Sequence, residues 1–182
     1  MPTRTLAAFV AAPLAPEVAT MRELLPLASR AGVLLAARRE TVAVAESAAG
    51  GLIIATLLAV PGASAWYRCG WVMYTRDVLL SLRDIDQGTL RGLRAATEPY
   101  AAFCARTAHD RLQANWGLAE TGAAGPTGNR YGDPAGHACV AVHGAVERHR
   151  TIATGSSDRV ENMHAFASAA LLLLIDTLEN IR

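Results

Sequence analysis

The segment TVAVAESAAGGLI, residues 41–53, restricts the fold of this chain more than any other. Its first five residues are apolar and rich in β-branched side chains with little alternation, the pattern of a strand covered on both faces. Glu46 and Ser47 follow as a turn, and residues 50–60 return to helical character until Pro61 and Gly62 stop them. A buried strand that turns directly into an apolar helix demands a sheet with helices packed against it.

The rest of the chain fits that demand. Residues 21–39 place Leu24, Leu25, Leu27, Ala28 and Ala31 on a helical repeat, with Pro26 interrupting it early and Arg38 and Arg39 at its end. WYRCGWVMY, residues 66–74, is aromatic and β-rich and predicts a second strand, with short helical pieces at 76–83 and 87–94. A long helix is expected from an N-cap at Thr97, with Glu98 and Pro99 in its first turn and Tyr100, Phe103, Cys104, Thr107 and Leu112 on one face. Residues 116–121 predict a third strand. Residues 138–142 and 148–153 predict a hairpin around Gly144, and a last helix begins at Asp158 and Glu161, spaced as a capping box.

Helices alternating with short strands predict a three-layer α/β/α sandwich around a mixed β-sheet, the hairpin adding antiparallel strands at one side. The chain's 182 residues, 52% of them hydrophobic, suit one core. Residues 21–182 are therefore expected to form a single domain, preceded by an N-terminal extension, residues 1–20, whose three prolines argue against a long helix.

Charge excludes some functions. With 17 basic and 16 acidic residues the net charge is +1, so there is no broad basic surface and nucleic acid is not an expected partner. Every basic residue is Arg, and there is no Lys in the chain. Cys69, Cys104 and Cys139 form no CxxC pair, and His109, His137, His143, His149 and His164 show no ligand spacing, so no metal and no cofactor is expected. The apolar run 165–175 is far shorter than the ~20 residues a bilayer crossing needs, which predicts a core helix, no membrane partner and a reduced, cytoplasmic protein.

Two segments have chemistry at the carboxyl ends of strands, where ligands settle in such sheets. In the first, Ser47 stands between strand and helix with Gly50 and Gly51 just after it. Ser47 is either a polar group beside free N–H groups that bind an anion, or simply the helix cap. Glu46 is divided between a hydrogen-bonding role at the site and a solvated strand end. The second segment, GAAGPTGNRYGDPAG at 122–136, lacks the GK[ST] and GxGxxG signatures. Its length exceeds a simple connection, and it is expected to form the opposite wall of a pocket with Ser47.

Taken together, VAVAESAAGGLI, VPGASAWYRCGWVMYT, TGAAGPTGN and GDPAGHACVAV resemble the CinA carboxy-terminal domain family, the nicotinamide-nucleotide amidohydrolases, over residues 22–178. The resemblance implies a stand-alone form of that domain. It implies hydrolysis of the carboxamide of nicotinamide mononucleotide to nicotinate mononucleotide and ammonia, in pyridine-nucleotide salvage, without metal or cofactor. The family's ESCTGG serine matches Ser47, and the tyrosine of its YSNEAK segment matches Tyr74. Its GIAGPDGG loop matches the segment holding Gly122, Ala123, Gly125, Pro126 and Gly136, which would contact substrate together with Gly50 and Gly51. On this reading Ser47 attacks while Glu46, Tyr74 or a water completes the site, and the turn N–H groups hold the oxyanion at about 3 to 4 kcal/mol per donor.

The departures fall at chemically important positions. The family's lysine aligns with Leu79, its cysteine and threonine with Ala48 and Ala49, and the arginine of its GDR segment with Ser157. Arg76 cannot act as a base, because a guanidinium stays protonated. Glu46, Asp77 and His137 remain as candidate bases, and Arg159 as a substitute anion contact. Two functions follow: an amidohydrolase of reduced or lost activity, or a non-catalytic nucleotide-binding homologue. A homo-oligomer, a dimer first, is the expected assembly, with the aromatic stretch from Trp66 to Trp71 as its interface.

Overall fold

The computed structural model describes residues 21–80, 88 and 90–181. Of the expected helical pieces, 76–83 begins as a helix over residues 76–80, while 87–94 forms turns at residues 88 and 90–92 and no helix among its described residues; residues 81–87 and 89 fall outside the described residues, as does the extension 1–20.

The elements run α1 (Met21–Arg38), β1 (Val42–Glu46), α2 (Leu52–Leu58), β2 (Tyr67–Val72), α3 (Arg76–Leu80), α4 (Glu98–Leu112), β3 (Trp116–Ala123), β4 (His137–His143), β5 (Glu147–Ala153) and α5 (Arg159–Asn180). One five-stranded sheet has the order β2-β1-β3-β4-β5. β1 is parallel to β2 and β3, while β4 and β5 are antiparallel additions on one side, as the hairpin at Gly144 predicts. The three-layer α/β/α expectation therefore holds.

One face of the sheet buries Val42, Val44, Trp116, Leu118 and Val140 against α1, α2 and α5, whose Leu24, Leu35, Ile53, Phe166, Leu171 and Leu174 fill the layer. Burying each of the larger side chains contributes about 1.5 to 3 kcal/mol. The other face is built from Ala43, Ala45, Ala119 and Ala141 under α4, whose Ala101, Ala105 and Ala108 approach closely. The closeness is sharpest at Gly117, where an added Cβ would collide with the Ala105 carbonyl oxygen. On α4 the alanines are deepest, and the expected Phe103 and Leu112 are only partly covered.

Three local expectations change. Pro26 does not break α1, since it removes a single helical bond near the start and the apolar face carries on around Ala28, Ala31 and Leu35. Thr97 stands at the N-cap of α4, but its hydroxyl donates back to the Arg94 carbonyl instead of capping the helix. Asp158 caps α5 by accepting from the N–H groups of Val160 and Glu161 at 2.9 Å, whereas Glu161 accepts from the Ser156 hydroxyl rather than closing the box.

The interface expectation also changes at Trp66. Its ring is 3% exposed and lies over Gly32 of α1, where an added Cβ would sit 2.7 Å from the ring. An indole so placed belongs to the core and cannot greet a partner; Trp71 and Tyr67 are partly covered. Among the described residues no helix is long and apolar enough to cross a membrane.

Candidate functional site

β1, β2 and β3 run parallel, so their carboxyl ends open at one edge of the sheet. There a cleft of about 720 Å³ is lined by Ser47 after β1, Met73 to Thr75 after β2, Asp77 of α3, Thr121 and Gly122 of β3, and Asn129 to Tyr131 of the long loop. Ser47 and the glycine-rich loop thus form walls of one pocket, as topology predicts. Tyr74 is 61% exposed and Tyr131 38% exposed, so aromatic surface faces the opening.

The Ser47 turn departs from both readings of its sequence. Ser47 does not cap α2; Gly51 holds that position in the left-handed region at φ 100°, which glycine adopts without strain. The capping group is Glu46, whose Oε1 accepts from Ile54 N at 2.5 Å and whose Oε2 accepts from Gly51 N at 2.9 Å and Ile53 N at 3.2 Å. The solvated strand end expected for Glu46 is therefore corrected: the residue is fully buried, committed to backbone, and absent from the cleft lining. Burial pushes its carboxyl above the usual range, and the bonds from Ile54, Ile53 and Gly51 pull the other way.

The N–H groups expected to hold an oxyanion are also occupied. Glu120 on β3 accepts with Oε2 from Ser47 N at 3.1 Å and Ala49 N at 2.8 Å. Nothing in the sequence singles out Glu120, which within the strand reads as one more position. Its burial pushes the carboxyl up to about 7, opposed by the bonds from Ala49 and Ser47 and reinforced by the charge of Glu46. Ser47 Oγ itself takes part in no hydrogen bond among the described residues.

The loop is held rigidly. Arg94 grips Asp133 with two bonds of 2.5 and 3.2 Å, and Asn129 receives the N–H groups of Tyr131 and Asp133 while donating to the Asp133 carboxylate. These bonds from Arg94 and then Asn129 hold the Asp133 carboxyl below its ordinary range despite partial burial. Two guanidinium groups lie over the Tyr131 ring, Arg130 at 5.0 Å and Arg94 at 5.4 Å from its centre. Gly122 packs against Ala138 and the His137 carbonyl. Gly136, at φ 82°, leaves no room for a side chain beside Thr154. Of the predicted substrate contacts Gly122 lines the cleft, whereas Gly50, Gly51, Ala123, Gly125, Pro126 and Gly136 are not among its lining residues.

Arg159 reaches from the first turn of α5 to the Gly125 carbonyl at 2.6 Å and the Tyr74 hydroxyl at 3.1 Å. It braces the two walls. Of the candidate bases only Asp77 lines the cleft, since Glu46 is under the turn and His137 Nε2 is engaged with the Ala96 carbonyl at 2.9 Å. Leu79 lies on α3, in the segment that follows Tyr74.

A mixed-sheet α/β sandwich with a cleft beyond the ends of its parallel strands defines the class of α/β proteins that hold ligands at that edge. Within that class, the model of the CinA C-terminal domain matches residues 25–178, and the chain belongs to that family. A CinA-like protein of Chlorobium limicola is 36% identical over 77% of this chain and 34% of its own length. One of Anaeromyxobacter sp. is 39% identical over 77% of this chain and 35% of its own. The chain thus spans about a third of the length of these curated relatives. The competence/damage inducible protein CihA from Agrobacterium tumefaciens superposes with a TM-score of 0.79 at 29% identity, covering 91% of this chain and all of the other. The CinA superfamily protein of Escherichia coli gives 0.77 at 26% identity over 87% of this chain and 94% of its own.

Proposed function

We propose that the cleft binds nicotinamide mononucleotide or a close relative, and that hydrolysis of its carboxamide is strongly reduced or lost. The observation that carries this reading is the state of Ser47. It lines a cleft of nucleotide size, yet no proton acceptor reaches its hydroxyl among the described residues, and Glu120 holds the N–H groups of its turn. A serine hydroxyl without a base is a poor nucleophile, and an oxyanion cannot use donors that a carboxylate already occupies. Tyr74, Tyr131 and Arg130 are suited to stacking on a ring and meeting an anionic group. Residues 21–182 act as one cytoplasmic domain on this reading, assembled as a homo-oligomer.

One observation favours a second reading: Asp77 shares the cleft with Ser47. If Asp77 takes the serine proton when substrate closes the site, the protein is an active amidohydrolase.

The test is ammonia release from nicotinamide mononucleotide, measured beside Leu79→Lys and Asp77→Asn, with calorimetric titration of the same nucleotide. Binding with little or no turnover, and a gain in Leu79→Lys, supports the first reading. Brisk turnover in the parent that Asp77→Asn abolishes supports the second. Neither binding nor turnover discards both.

A further inference from the structure

β1 and β3 are neighbours in register, Ala45 opposite Ala119, so Glu46 and Glu120 come next on adjacent strands. Both side chains are buried, at 0% and 1% exposure, under the turn that follows β1. Glu46 satisfies the first turn of α2. Glu120 satisfies the residues before it, Ser47 and Ala49, through Oε2 alone; its Oε1 has no hydrogen-bond partner among the described residues.

A carboxyl in that position is costly. The other large side chains of β3 on this face, Trp116 and Leu118, belong to the apolar core, and a buried polar oxygen left without a partner costs about 1 to 3 kcal/mol. An aliphatic residue would fill the space without that penalty, but it would take the acceptor from the Ser47 and Ala49 N–H groups. What Glu120 adds is specific: one of its two bonds goes to the backbone nitrogen of the residue whose hydroxyl serves the cleft.

We propose that Glu120 is a positioning residue for Ser47, fixing through the Ser47 and Ala49 N–H groups the direction in which the Ser47 side chain enters the cleft. As far as ligand affinity is concerned, this rests on the reading of the cleft as a nucleotide site; the effect on Ser47 itself does not. Glu120 touches no ligand. It acts by holding the turn, so a glutamine, which keeps a carbonyl acceptor, preserves the arrangement, and a leucine of similar bulk removes it.

Nuclear magnetic resonance tests the first half directly. The Hα–Hβ couplings of Ser47 report its side-chain rotamer without any ligand. In the parent they take the values of a single rotamer, one large and one small where an Hβ is anti to Hα and both small where neither is; in Glu120→Leu they average to intermediate values, and in Glu120→Gln they return toward the parent values. Because Glu120→Leu removes a charge from the core and is otherwise near in size, folding is checked by the dispersion of the remaining resonances. If that variant does not fold, the parent alone decides. On titration, its Ser47 and Ala49 amide resonances move with the Glu120 side-chain carboxyl carbon. The group whose charge reaches Glu120 is Glu46 on β1, and the Glu120 charge in turn helps to raise the buried Cys104 thiol on α4; the resonances of both are followed in the same titration. Calorimetry with nicotinamide mononucleotide gives the second half: affinity about tenfold weaker in Glu120→Leu, and within about threefold of the parent in Glu120→Gln. Unchanged Ser47 couplings in a folded Glu120→Leu, or Ser47 and Ala49 amides indifferent to the Glu120 titration, overturns the proposal. A parent that binds no nucleotide while the couplings respond overturns the functional reading and leaves the positioning role standing.

Discussion

Arg159 Nη2 donates to the Tyr74 hydroxyl at 3.1 Å while Arg159 Nη1 holds the Gly125 carbonyl at 2.6 Å, so a single guanidinium spans the two walls of the cleft. Both terminal nitrogens of this guanidinium are thus engaged with protein oxygens. It works as a brace between the loop and the Tyr74 ring.

Removing the brace separates affinity from stability. Arg159→Ala frees the loop at Gly125 and the exposed Tyr74 ring, and it is expected to weaken nucleotide binding about five- to tenfold in calorimetry. One bond is exposed and the other partly buried, each worth about 1 kcal/mol in folding, so the melting temperature falls by only a few degrees. A large loss of stability with unchanged affinity counts against this role.

Stability should depend on pH through Glu120. A carboxyl raised to about 7 in the fold binds its proton more tightly there than in the unfolded chain, where 4.5 is usual. The folded state therefore holds more protons between those values, and stability falls as pH rises from about 4.5 to 7, then levels. The contribution is fully present below the unfolded value and is on the order of 3 kcal/mol. Denaturant unfolding of the parent and of Glu120→Gln across this range checks it: the variant, which cannot ionise, should lose most of the slope. An identical slope in both assigns the effect elsewhere.

Trp66→Ala is expected to behave as a core truncation. The indole is buried against α1 over Gly32, and deleting such a ring costs about 3 to 5 kcal/mol. Chemical denaturation should show this loss, and sizing columns should show no change of assembly in the protein that remains folded. Dissociation of an oligomer without loss of protomer stability would restore Trp66 to an interface.

The chain's order of elements could be read directly, because each carries its own period: the even burial of residues 42–46, the alanine-spaced face of α4, the long apolar face of α5. So could the pairing of Ser47 with the 122–136 loop, since parallel strands bring their carboxyl ends together whatever their side chains. The roles within the turn could not. Serine before a helix, with glycines after it, is compatible with capping, with catalysis and with neither, and the choice belongs to partners elsewhere. Glu46 caps α2 from the end of its own strand; Glu120, 73 residues from Ser47, takes the remaining donors.

By itself the amino-acid sequence determined the layers, the strand directions, the sheet edge at which the cleft opens and the absence of any lysine from the chain. Those depend on local periodicity and on residue identity. Only the tertiary structure decided that two buried carboxylates consume the N–H groups of the Ser47 turn and that the serine hydroxyl is left unengaged. Hydrogen bonds are directional and short, so which donor meets which acceptor is settled by the register of β1 against β3, and no pattern along one strand records it.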